Sequence, residues 1–171
     1  MIVDSSSLVI FGKLNKVSIL LKLFDKIQVA EEVYKEAILD GLEKKFEDSL
    51  ILKNYFDKGE IKIIRLNDKY LKLAYEIKNL NNIGLGEAQT IALARQIKHK
   101  ELIIDETLAR KVAKAFGLNP IGSLRVLLLA YKENILNEKE IKEIVNKMIK
   151  LKFRLSAATL IRFWELFEKL R

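Results

Sequence analysis

Along the chain, short β-rich runs alternate with longer stretches whose apolar residues recur every three or four positions. Residues 2–4, 26–29, 61–66 and 102–104 read as strands, and 119–121 as a small fifth. Between them the helical period predicts helices around 7–14, 16–24, 31–40, 46–56, 68–78, 84–98, 107–116 and 123–131. Asp68 is the expected N-cap of the fifth of these, and Gly59 and Gly117 are expected stops. Residues 137–171 read as two amphipathic helices with no strand. Such alternation implies right-handed crossovers. The expected fold class is therefore α/β: a mainly parallel five-stranded sheet sandwiched by helices, with a C-terminal helical extension. The expected division is an α/β domain at 1–135 and a two-helix extension at 136–171, packed on the same domain.

In sheets of this kind reactive groups gather at the carboxyl ends of the strands. Asp4 ends the first strand and Asp105 the fourth. Either one alone is explained by helix capping; two at strand ends are harder to dismiss. Val29, Val33 and Ala37 fall at spacings of four and define an inward face, on or beside which Glu36 lies. Glu31, Glu32 and Lys35 point elsewhere. Glu87 follows Gly84 and Gly86 in the first turn of a helix whose Ala88, Ile91, Ala92 and Ala94 suit close packing on a sheet. That packing carries Glu87 to the sheet's edge.

A carboxylate on a buried stripe costs on the order of several kcal/mol unless it is paired or bound to a cation. Four of them meeting without a counter-charge would repel, and some would stay protonated. A divalent cation resolves the conflict. The chain has no cysteine and one histidine, which excludes thiolate sites and argues against a zinc cluster. An oxygen-held ion points to Mg²⁺ or Mn²⁺. The one histidine, His99, lies in KHK at a helix end and reads as a solvated surface residue.

A length of 171 residues, half of them apolar, suits one domain with a sizeable core. The net charge of +8 is compatible with a polyanionic partner. Residues 137–171 hold nine Lys/Arg against five Glu, which is half of that excess. The longest apolar run, 126–131, is too short to span a bilayer, and Asp4 interrupts the first. The expectation is a cytoplasmic protein with no membrane partner.

Four stretches resemble the PIN-domain nucleases, including the VapC-like toxins of toxin–antitoxin pairs. IVDSSSLV is similar to their opening strand with its acid and a following hydroxyl, here Asp4 and Ser6. VAEEVYKEAI resembles the helix bearing the second acid, Glu36, with Glu32 as the alternative. GLGEAQTIALA resembles the helix bearing the third, Glu87. LIIDETLARKVA resembles the strand-end acid, Asp105, with Glu106 as the alternative. The helices from GLNPIGSLRVLLLAYKENIL onward look like a PIN subgroup with a two-helix C-terminal extension. The resemblance implies Mg²⁺- or Mn²⁺-dependent RNA cleavage, with Asp4, Glu36, Glu87 and Asp105 as metal ligands and Ser6 hydrogen-bonded among them. It also implies a homodimer, in some relatives silenced by an antitoxin protein.

Two rivals remain. The first is a catalytically inactive PIN-like module that binds RNA or a partner protein. The C-terminal helix favours it in one respect, since Leu160, Trp164 and Phe167 form a stripe, with Ile161 and Leu170 nearby, that serves as core or as a docking face. The second is a receiver-like phospho-acceptor domain. It needs an aspartate directly after the third strand, whereas Asp68 falls late, at a cap position.

Overall fold

Five strands form one all-parallel sheet in the computed structural model, which describes residues 1–171. They are β1 (Ile2–Val3), β2 (Ile27–Ala30), β3 (Ile61–Ile64), β4 (Glu101–Ile103) and β5 (Asn119–Ile121), in the spatial order β3-β2-β1-β4-β5. From β1 the chain winds outward to β2 and β3. It then returns past β1 to place β4 and β5 on the other side. The direction of winding reverses between β1 and β4, which makes their carboxyl ends the switch point where such sheets form a crevice. Register fixes the edge: Ile2 pairs with Leu102 and Val3 with Ile103, and the Asp4 amide donates to the Ile103 carbonyl at 3.0 Å.

Ile2 and Val3 point to opposite faces of the sheet, as do Leu102 and Ile103. All four are inaccessible to water, so both faces of the central strands are covered. At the outer edge of β3, Lys62 and Ile63 are exposed, and a charge on the flank discourages further pairing.

The helices are α1 (Ser5–Lys13), α2 (Val17–Leu23), α3 (Glu31–Tyr34), α4 (Asp40–Glu43), α5 (Glu47–Asp57), α6 (Asp68–Asn81), α7 (Leu85–Gln96), α8 (Thr107–Ala115), α9 (Ser123–Lys132), α10 (Glu138–Lys150) and α11 (Ala157–Glu168). Helix α7 lies against β1, β2 and β4, with α6 packed along it. Its Ala88, Ala92 and Ala94 are fully buried, as their small size predicts for close approach to a sheet. Helix α9 gathers α2, α10 and α11. No helix is long and apolar enough to cross a membrane.

Several expectations change in detail. The first helix starts at Ser5, directly after Asp4, so the three serines occupy its first turn. Val29 belongs to β2; Val33 and Ala37 are the buried helical positions. The 31–40 helix runs through a π-helical stretch, Lys35–Leu39, between α3 and α4. Asn67 caps α6 in place of Asp68, its side-chain oxygen accepting from the Tyr70 amide at 3.2 Å. On α11 the deepest residues are Phe163 and Phe167, with Trp164 edge-on to both rings at 4.8 and 5.6 Å. Leu160 is only partly buried, and Ile161 faces water. His99 is half-buried, and its Nε2 is shielded from water without a hydrogen-bond partner. It precedes β4, at the opposite end of the sheet from Asp4 and Asp105.

Candidate metal centre

Asp4 leaves β1 in extended conformation and caps α1, its Oδ1 accepting the Ser7 amide at 2.9 Å. The capping reading is thus true of this residue. A strand that turns straight into a helix must satisfy that helix's first amides, and a carboxylate at the junction does so. Asp4 is fully buried, with Ser6 Oγ donating to its Oδ2 at 3.0 Å.

Asp105 follows β4 and does not cap α8; Glu106 does, accepting from the Ala109 amide. Asp105 instead reaches toward α9. Its Oδ1 accepts the Ser123 amide at 2.8 Å, and its Oδ2 accepts hydroxyl bonds from Ser123 and, at 2.8 Å, from Ser7. Asp4 and Asp105 therefore bracket Ser7. Burial first, and then the charge of Asp105, push the Asp4 carboxyl up to about 7, against the opposing pull of the serine hydrogen bonds.

A second acidic group lies beside this pair. Glu36 sits in the π-helical stretch, a rare geometry frequent at functional sites. Ser5 Oγ donates to its Oε2, and the Gly86 amide to its Oε1 at 3.3 Å. A side chain at residue 86 would collide with this carboxylate, whose carbon lies 2.9 Å from where a Cβ would stand. Glycine at this position leaves room for the Glu36 carboxylate where it stands. Glu87 closes a capping box on α7, accepting the Gly84 amide at 2.7 Å. Partial burial raises its pKa; Glu106 and Glu36 push it further, while the Gly84 hydrogen bond and Arg154 oppose the rise.

The three consecutive serines thus serve three different acids: Ser5 binds Glu36, Ser6 binds Asp4, and Ser7 binds Asp105. Consecutive helical positions point about 100° apart, so a serine run at a helix start fans its hydroxyls across the whole crevice. Sequence reasoning singled out Ser6 and missed Ser5, Ser7 and Ser123. The signal for the first two was the DSSS run itself; Ser123 carried only an unremarked Gly-Ser helix start.

A depression of about 390 Å³ is lined by Ser6, Lys13, Glu87, Asp105, Glu106 and Arg154, among others. An adjoining one of about 360 Å³ is lined by Ser5, Glu36, Glu87, Glu106 and Arg154. Glu87, Glu106 and Arg154 belong to both; Asp4 lines neither, and Ser6, which donates to it, lines the first. Glu32 belongs to neither: its carboxylate is 3.5 Å from Lys35, and its amide binds Gln89. No ion pair reaches Asp4, Glu36, Glu87 or Asp105.

The donors are all oxygens and none of the four acids is in an ion pair, which suits a hard divalent ion, while Lys13, Lys152 and Arg154 line the same depression. No three of the acids are arranged to ligate a single ion. In this arrangement their oxygens are held by serine hydroxyls and helix amides.

Fold and site together define an α/β protein with an acidic crevice at the switch point of a parallel sheet. The model of the family DUF3368, a PIN domain, matches residues 1–169, and the chain belongs to the PIN-domain family. That match runs from the first strand through both C-terminal helices. PIN domains are generally nucleases that use divalent metals. No curated protein matches the chain.

Proposed function

We propose that the protein is a Mg²⁺- or Mn²⁺-dependent ribonuclease. Asp4, Glu36, Glu87 and Asp105 would hold the ion, with Glu106 at the margin of the set. A divalent ion there supplies Lewis-acid stabilisation of charge on a phosphodiester and a lowered pKa for water. The observation that carries this reading is the meeting of a fully buried Asp4 and a partly buried Asp105 across Ser7, repelling and with no ion pair to either. The repulsion between them works against folding, so electrostatic stabilisation does not explain the pair.

The chain's own residues would do the rest. Ser6, Ser7 and Ser123 hold the two aspartates in place through their hydroxyls. Lys13, Lys152 and Arg154 rim the depression beside the acids and would hold the RNA backbone. Homodimerisation, a cytoplasmic setting and silencing by an antitoxin belong to the same reading. The test is a purified-protein assay on single-stranded RNA. Cleavage is expected with Mg²⁺ or Mn²⁺ and absent with EDTA; cleavage that survives EDTA in the Asp4→Asn protein would sink the mechanism.

One observation favours a second reading, an inactive RNA-binding module. Each acid already has a local hydrogen-bond partner, and no trio is arranged around one point. RNA binding without turnover in either metal would select it.

A further inference from the structure

Beyond Asp105 the acidic crevice opens into a separate cavity of about 570 Å³. Its walls are α8 and α9 on one side, and α11 with the 151–156 connection on the other. Four arginines line it, each from a different element: Arg110 on α8, Arg125 on α9, Arg154 on the connection and Arg162 on α11. The chain has seven arginines against 24 lysines. Four of the seven line this one cavity, and no lysine does. A merely basic surface would draw on the commoner residue, whereas a guanidinium fork matches phosphate oxygens two at a time.

No ion pair engages Arg110, Arg125 or Arg154, and Arg162 pairs only with Glu165 of its own helix, at 3.2 Å. Between the arginines the floor is apolar, formed in part by Leu128 and Phe163. A volume of this size accommodates a small ligand. Charged walls over an apolar floor suit a nucleotide, with phosphate at the arginines and base or ribose on the hydrocarbon. Asp105 and Arg154 each line this cavity and the acidic depression, so the two adjoin.

We propose that this cavity is a nucleotide subsite, in which the arginines bind a backbone phosphate of the RNA strand away from the scissile bond. The inference rests on the ribonuclease reading for the identity of the polymer. It gives the C-terminal helices a role in substrate binding, since the connection and α11 supply two of the four arginines.

The test is binding of a labelled single-stranded oligoribonucleotide to the full chain in EDTA, where turnover is blocked. The double variant Arg125→Gln/Arg162→Gln changes two exposed side chains, and unchanged melting will verify its fold. It should bind at least tenfold more weakly than wild type, and its slope of log affinity against log salt should be shallower by about 1. The variant Lys58→Gln/Lys62→Gln/Lys72→Gln removes more charge at exposed positions outside the cavity, with Lys62 on the opposite edge strand, and should bind nearly as wild type does. Equal binding by the arginine variant and wild type overturns the inference, as does an equal loss in the lysine variant. So does tighter, arginine-dependent binding of a Glu-rich peptide, which would make the cavity a protein dock. Cleavage in Mn²⁺ separates the two proposals. Arginine-dependent RNA binding without wild-type cleavage removes only the ribonuclease reading. Cleavage with an unaltered KM in the arginine variant removes only the subsite.

Discussion

The acidic crevice and the arginine-lined cavity share Asp105 and Arg154, yet they handle charge in opposite ways. The acids sit directly after strands, as Asp4 and Asp105 do, or on neighbouring helices, as Glu36 and Glu87 do, and every carboxylate is tied to a hydroxyl or a helix amide. The arginines stand on helices and a connection at the surface, three of them exposed and three without any ion pair. Buried charge must be satisfied where it stands, because desolvation is expensive. Exposed charge keeps its hydration and remains available to a ligand. The crevice therefore holds its charges in fixed geometry, whereas the cavity leaves its charges hydrated.

The comparison breaks most directly at Asp4. Asp4→Asn should reduce Mn²⁺-dependent RNA cleavage by roughly 10³-fold, equivalent to about 4 kcal/mol of transition-state stabilisation, as measured in single-turnover assays. A smaller contrast separates the two glutamates of one helical stretch. Glu36→Gln should cost on the order of 100-fold in kcat, while Glu32→Gln, which only disturbs an exposed pair, should stay within about twofold. Equal losses would return Glu32 to the ligand set.

Stability sharpens the same division. Ser123 is fully buried and donates twice to Asp105, so Ser123→Ala should lower unfolding free energy by about 1.5–3 kcal/mol in denaturant titration. The pH dependence has a definite sign. The folded pKa of Asp4 is raised, so the native state holds its proton more tightly than the unfolded chain. This contribution is fully present below the unfolded pKa near 4 and is lost as pH rises toward 7. Metal-free protein should melt at progressively lower temperature from pH 4 to 7 through this group, and Asp4→Asn should flatten that trend. At the exposed end of the scale, Glu165→Gln frees Arg162 and should change stability by less than about 0.5 kcal/mol.

Much of the site was legible from residue order because it hangs on strand ends. Asp4, Asp105 and Glu87 each follow a strand or a glycine that marks where the chain turns, and such local signals survive without knowledge of packing. Counting from Val33 places Glu36 beside the inward face, and Val33 and Ala37 of that face are both buried, on either side of the start of the π-helical stretch. The choice between Asp105 and Glu106 as helix cap was not legible. Either aspartate or glutamate can cap, and the outcome depended on Ser123, eighteen residues away, offering Asp105 two donors.

By itself, then, the order of residues determined the alternation of strands and helices, the oxygen-only character of any metal site, and the placement of acids at one sheet edge. Those follow from periodicity, composition and turn chemistry, which are properties of neighbouring residues. Tertiary structure alone decided which serine serves which acid, that Gly86 makes room for Glu36, and that four of seven arginines meet in one cavity. These are relations between residues tens of positions apart, and only the closing of the sheet and the packing of α9 and α11 bring them within reach of each other.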